Sequence, residues 1–325
     1  MIASRSYLTM WRERQIKLLK DEIEAVLASL TGEASLFELA KESLSKVRGL
    51  AAETEHDRPW SLLSLIVCEA ISGRYEHALP AAAALELFRA SAEVFDDIED
   101  GDNPDSIVAR YGSAVATNVA TTHLILAERA IARLKQRGVA DCMVIRIMDT
   151  INSYYTVSCA GQHLDLSLNQ KMAVSEDVYL KITKMKSSST LECACCVGAL
   201  LGGANQELVD KFALFGQNLG MASQIANDIQ GIIHGNDIAK NKATLPIIYA
   251  LTQADGEARN RLQLAFRKQP APMNDYAPIR DLLFLTGAIH YSTIKMELYK
   301  QRALDILFNA ELAEASIERL RLFLE

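Results

Sequence analysis

The chain has 325 residues, half of them hydrophobic, a formal net charge of −7 and a pI near 5.5. It can therefore bury a sizeable core, but it lacks the basic balance of a nucleic-acid binder. No apolar run approaches the ~18 residues of a membrane span and no charged-then-apolar leader opens the chain, which points to a soluble, cytoplasmic protein.

Helical periodicity runs from end to end, and no hairpin signal stands out. Helices are predicted at about 5–30, 35–50, 59–72, 79–100, 113–137, 139–168, 175–203, 206–234, 244–252, 256–268, 279–308 and 312–324, with breaks at Gly73, Gly101, Gly138, Gly203 and the Pro270/Pro272 pair. The stretch from Ser4 to Leu30 is amphipathic and reads as a packing helix. No Pro/Gly/Ser-rich linker divides the chain, and no strict heptad persists. The expectation is one all-α domain over residues 1–325, a large helical bundle around a central cavity. Cys68, Cys142, Cys159, Cys193, Cys195 and Cys196 fall in helical segments without a paired metal-ligand spacing, so they read as buried free thiols.

Residues 79–105 carry the first chemical signal. Pro80 suits a first helical turn and Gly101 with Pro104 ends the helix, so Phe88, Ala92, Asp96 and Asp100 form one i, i+4 row. Asp97 lies beside that row and Ser91 flanks its apolar half. Carboxylates at a helix C-terminus sit at the negative end of its dipole and are unfavourable without a cation. Oxygen-only ligands favour Mg²⁺, with substrate phosphates completing its shell. The alternative is a solvated acidic helix end before a polar loop.

Further on, Gly161-Gln162-His163-Leu164-Asp165 places Gln162 and Asp165 on one helix face, with His163 a structural hydrogen-bonding group. Lys186 precedes a run of serines and suits a phosphate. Between 212 and 228 a second i, i+4 row runs Phe212, Gly216, Gly220, Gln224 and Asp228. Its glycines allow either close helix packing or room for a ligand. The loop that follows offers Lys240 and Lys242 to an anion.

In order and spacing these segments resemble the trans-isoprenyl diphosphate synthases, the polyprenyl synthases of the isoprenoid synthase fold, from about residue 50 onward. Asp96-Asp97-Ile98-Glu99-Asp100 matches the first aspartate-rich motif, followed by Arg110-Tyr111-Gly112. Gly161-Gln162 with Asp165-Leu166 matches the G-Q-x-x-D-L segment, and Lys186 falls on the diphosphate-binding lysine. Gln224-Ile225-Ala226-Asn227-Asp228 takes the place of the second aspartate-rich motif, and Asn241-Lys242-Ala243-Thr244-Leu245-Pro246 that of G-K-x-T-L-P.

The resemblance implies an enzyme that holds an allylic isoprenyl diphosphate through three Mg²⁺ ions. Asp96, Asp97 and Asp100 would be catalytic and metal-binding, Asn227 and Asp228 would bind metal opposite them, and Lys186, Gln162, Asp165, Gln224 and Lys242 would bind the diphosphate. It also implies a homodimer. In the family the residues four and five before the first motif line the cavity floor; here Ala92 and Ser91 stand there, with Phe88 and Phe212 expected to close it at a depth suited to a farnesyl or geranylgeranyl chain.

The departures from the pattern concern the second substrate. Where elongating members carry G-G-K-R-x-R-P to bind isopentenyl diphosphate, this chain has Glu55-His56-Asp57-Arg58-Pro59, leaving Arg58 for substrate. Asp105 and Ser106 replace an arginine pair, and Arg89 replaces the usual His or Gln. Gly231 interrupts the second acidic motif. Three readings follow. The first is prenyl transfer to a peptide or small-molecule acceptor, as in the bacterial prenyltransferases of competence pheromones, which share G-Q-H and Glu297-Leu298-Tyr299-Lys300-Gln301-like segments. The second is terpene cyclisation, and the third is chain elongation with an unusual acceptor site.

Overall fold

The computed structural model describes residues 2–46, 60–101, 103–168, 174–240, 242–267 and 276–324. Arg58, with Glu55, His56 and Asp57, lies outside the described residues, as do Asn241, Pro270 and Pro272. Sixteen α-helices follow one another without a strand among the described residues: α1 (Ile2–Leu27), α2 (Ala34–Lys46), α3 (Leu62–Ser72), α4 (Leu79–Asp100), α5 (Ile107–Tyr111), α6 (Ser113–Ala132), α7 (Asp141–Leu168), α8 (Glu176–Thr183), α9 (Ser189–Leu201), α10 (Gln206–His234), α11 (Asn236–Ala239), α12 (Leu245–Gln253), α13 (Gly256–Arg267), α14 (Ala277–Leu285), α15 (Ala288–Phe308) and α16 (Glu314–Arg321). The described residues form the all-α bundle expected from the periodicity. No helix among the described residues is long and apolar enough to cross a membrane.

Small residues set how closely the central helices approach. α4 lies against α6, the alanines at 81–84 and Ala90 of the one and Ala127 and Ala130 of the other are buried in the same core, and the Ser91 hydroxyl donates to the Ala120 carbonyl at 2.9 Å. Ser91 therefore faces α6. Gly216 and Gly220 do the same for α10. A Cβ on Gly216 would lie 2.5 Å from the Leu191 carbonyl oxygen of α9, and one on Gly220 2.5 Å from the Ser188 Cα. The space these glycines leave is taken by backbone, so they serve packing and do not open a ligand channel.

Two of the longer expected helices are broken. Residues 175–203 form α8 and α9 joined by a π turn at Lys184–Ser188, whose extra residue a hydrophobic period does not register. Hydroxyls take up carbonyls there: Ser189 Oγ donates to Met185 O at 2.6 Å and Thr190 Oγ1 to Ser187 O at 2.8 Å. Gly287, at φ 75°, divides 279–308 into α14 and α15. Cys68, Cys193, Cys195 and Cys196 are buried free thiols, whereas Cys142 and Cys159 are exposed on α7.

Candidate active site

α4 delivers its acids by construction. Proline in its first turn starts it, and Gly101, left-handed at φ 63°, returns its N–H to the Asp97 carbonyl at 3.0 Å, which a residue with a Cβ would do under strain. Asp96, Asp97 and Asp100 thus occupy the last turn, where four carbonyls lack helical partners. Among the described residues no three acids converge as a preformed metal cluster. Each α4 carboxylate is instead met by a donor. Asp97 Oδ1 accepts from Asn103 Nδ2 at 3.1 Å, Asp96 Oδ1 from Gln162 Nε2 at 3.1 Å, and Lys242 Nζ reaches Asp100 Oδ2 at 3.3 Å.

Gln162 and Lys186 come from two elements held in register by a glycine. A Cβ on Gly161 would lie 2.5 Å from the Lys186 backbone nitrogen and 2.8 Å from Met185, so α7 lies directly on the π turn. That contact lets Lys186 Nζ reach Asp165 at 3.0 Å and Asp96 at 3.5 Å. Burial pulls the lysine's pKa down, but Asp96, Asp165 and Asp100 more than offset this and leave it raised. Gln162 also donates to Glu99, while its carbonyl oxygen is buried without a hydrogen-bond partner.

The facing wall comes from α10. Gln224 accepts from Ser187 Oγ at 2.9 Å and donates to Asp228 Oδ1 at 2.9 Å. Asp228 is only 3% exposed, and its Oδ2 accepts from Tyr179 Oη at 2.7 Å and from the Leu245 N–H at 3.1 Å. Burial pushes its pKa up to about 6 against the pull of these three donors. Together these side chains line a cleft of about 210 Å³ that includes Asp100, Gln162, Asp165, Lys186, Gln224, Asn227, Asp228 and Lys242. Tyr179 and Asp237 also line it. Neither was found from sequence: Tyr179 carries no motif, and Asp237 stands nine residues past Asp228, the last acid of α10, on the separate helix α11.

Phe88, Ser91, Ala92 and Phe212 do not feature in the cleft lining. Phe212 is 1% exposed and packs edge-on against Phe215 at 6.5 Å in the main core. Phe88 stacks on Tyr155 of α7 with ring centroids 4.5 Å apart, and Ala92, one turn above it, is exposed. Arg89, on the same helix, is held between Glu86 and Glu93.

The sequence matches the polyprenyl synthetase family over residues 56–283. It is 28% identical over 199 residues to a geranylgeranyl diphosphate synthase of Methanosarcina mazei, spanning 57% of this chain and 60% of that one. It is also 28% identical over 228 residues to the tryptophan prenyltransferase ComQ of Bacillus subtilis subsp. natto, covering 69% of this chain and 68% of the relative. A polyprenyl synthase of Caulobacter crescentus, solved with calcium and isoprenyl diphosphate, superposes with a TM-score of 0.80 at 20% identity, over 98% of this chain and 96% of that one.

Proposed function

The chain belongs to the polyprenyl synthetase family, an enzyme family of prenyltransferases, and on that premise we propose that it ionises an allylic isoprenyl diphosphate, farnesyl or geranylgeranyl, and transfers the prenyl group to an acceptor other than isopentenyl diphosphate. The observation that carries this reading is the state of Arg89. Its guanidinium ion-pairs with both Glu86 and Glu93, and Glu86 is fully buried. A cation shared by two carboxylates offers little to a second diphosphate, and the two acids would repel it. Ser106, where the resemblance would place an arginine, instead caps α5 by accepting from the Ala109 N–H at 3.1 Å. The named activity of the ComQ relative, transfer to tryptophan, supports an acceptor of this other kind.

The donor set suits Mg²⁺. Asp96, Asp97 and Asp100 are oxygen ligands at the negative end of a helix, and the unpartnered Gln162 carbonyl adds an acceptor for a hydrated cation. Bound there, the metal would neutralise the diphosphate and the charge that grows on it as it departs. Lys186 and Lys242, which pair with Asp96, Asp165 and Asp100, would turn to the diphosphate oxygens, and Gln162 donates to Asp96 and Glu99. The exposed Leu124 and Ile125 of α6 and Ile145, Met148 and Val157 of α7 support a homodimer joined through these two helices.

The test incubates purified protein and Mg²⁺ with each allylic diphosphate, with and without radiolabelled isopentenyl diphosphate, and with indole- or tryptophan-containing acceptors. Prenylated acceptor without label in a longer linear diphosphate is the expected outcome. Ordinary rates of elongation would overturn the acceptor assignment, and a cyclic hydrocarbon from the allylic substrate alone would replace it with cyclisation. Asp96→Ala and Asp100→Ala should each abolish turnover while circular dichroism stays that of the wild type.

A further inference from the structure

Gly231 and Asp237 belong to different helices and share one position in space. Gly231 lies one turn beyond Asn227 and Asp228 on α10, so its side chain would extend the row those two begin. A Cβ built on it would lie 2.0 Å from Asp237 Oδ2, 2.4 Å from its Cγ and 2.8 Å from its Oδ1. The carboxylate of Asp237 therefore occupies the place where a side chain of residue 231 would begin. The route is a left-handed turn at Gly235, φ 82°, which folds the short α11 back against the end of α10. The turn is held by the Lys242 N–H, which donates to the Asp237 carbonyl at 3.0 Å. Asp237 lines the cleft together with Asp100, Asn227 and Lys242.

The other acid on this wall is already committed. Both oxygens of Asp228 accept hydrogen bonds, from Tyr179, Gln224 and the first N–H of α12, and the residue is 3% exposed. It ties α8 and α12 to α10. Releasing it toward a ligand would strand two buried donors, Tyr179 and the Leu245 N–H, each costing about 1–3 kcal/mol, besides the half-buried Gln224 amide. Asp237 is half-buried, faces the cleft, and is flanked by the charges of Lys240 and Lys242.

We propose that Asp237 is the carboxylate that the second wall of the cleft presents to a divalent cation and its diphosphate, with Asp228 a structural anchor behind it. This rests on the function proposed above, and it deepens that function by moving the second-wall ligand from α10 to α11. Gly231 is then required by Asp237, because any side chain at 231 would displace the carboxylate.

Titration calorimetry with Mn²⁺ and inorganic pyrophosphate tests this without catalysis. Asp237→Asn, which is isosteric, should weaken pyrophosphate-dependent Mn²⁺ binding at least tenfold with little change in melting temperature. Gly231→Asp alone, placing two carboxylates in one space, should lower both binding and melting temperature. The exchange Gly231→Asp with Asp237→Ala should bring binding back to within about threefold of wild type, because the carboxylate is restored from the other side. Wild-type binding by Asp237→Asn would overturn the proposal, as would an exchanged protein that melts normally yet binds no better than Asp237→Ala. Asp96→Ala separates the two levels: if it binds like wild type the proposed function fails, and if it loses binding while Asp237→Asn does not, the assignment of Asp237 alone fails.

Discussion

Gly161 and Lys186 approach so closely that a Cβ on the glycine would stand 2.5 Å from the lysine's backbone nitrogen. The obstructing atoms are main chain and the Met185 Cβ, so no flexible side-chain end can give way. Gly161→Ala should therefore push α7 off the π turn and spoil the 3.0 Å approach of Lys186 to Asp165. Overpacking of this kind costs about 1–3 kcal/mol, and an ångström of misplacement at a reacting centre costs about a hundredfold in rate. The variant should stay helical by circular dichroism, melt several degrees lower and turn over about a hundredfold more slowly. Wild-type rates would mean that this contact does not position the lysine.

Tyr179 donates to Asp228 at 2.7 Å inside the core of the facing wall. Tyr179→Phe removes one of three donors to a buried carboxylate, a change worth about 1.5–3 kcal/mol for a hydrogen bond to a charged group. Urea unfolding at neutral pH should register that loss with an unchanged m-value. Lowering the pH through 6 should recover part of it, because burial already raises the Asp228 pKa to about 6 and removing a donor raises it further. A loss below about 0.5 kcal/mol would show that solvent replaces the hydroxyl, contrary to the burial seen here.

These two contacts also mark how much could be read in advance. α4 and α10 were legible to the residue, since Pro80 and Gly101 punctuate one helix and the break at Gly203 precedes the other; in the structure the Asn205 side chain, accepting from the Leu208 N–H at 2.9 Å, and Gly235 bound α10. The α4 acids Asp96 and Asp100 lie within reach of Gln162, Lys186 and Lys242, and Lys186 reaches Asp165 as well. What sequence could not decide was which neighbour meets a given face. Gly216 and Gly220 permit packing or a channel equally, and only the path of α9 settles it. Asp237 reaches its place through a turn and a tertiary contact, to which periodicity is blind. α5 and α11, of five and four residues, are too short to show a period.

His123 is buried on α6, with Nε2 2.6 Å from Ser43 Oγ of α2 and Nδ1 without a partner. Burial lowers its pKa from 6.5 to about 4. The folded state therefore holds it neutral, and the unfolded chain takes the proton first as pH falls. Its contribution to stability is complete above pH 6.5, declines between there and pH 4, and is constant below, a total of about 3 kcal/mol. Asp228 titrates in the opposite sense, so the readout is a difference. Unfolding free energies of wild type and His123→Leu, measured every half pH unit from 7.5 to 4, should diverge in slope across this window. Parallel curves would show that the imidazole is hydrated in solution.

The remaining prediction concerns chain length and separates the two aromatic residues expected to form the floor. Phe88 lies two turns below Asp96, about 12 Å along the axis of α4, and it is capped by Tyr155, whose hydroxyl donates to the Leu85 carbonyl at 3.3 Å. This stacked pair closes the face between α4 and α7, with exposed Ala92 one turn nearer the acids. Phe212 packs edge-on against Phe215 on α10 instead. Ala92→Phe should shift preference from geranylgeranyl toward farnesyl and geranyl diphosphates, and Phe88→Ala should admit geranylfarnesyl diphosphate while losing about 3 kcal/mol of stability. Phe212→Ala, equally buried, should lose a comparable amount with its chain-length profile unmoved. Competition among the four diphosphates, scored by which prenyl group is consumed, separates the two aromatic residues. If Phe212→Ala lengthens the accepted chain and Phe88→Ala does not, the chain runs along α10, and the glycine contacts with α9 must open to admit it.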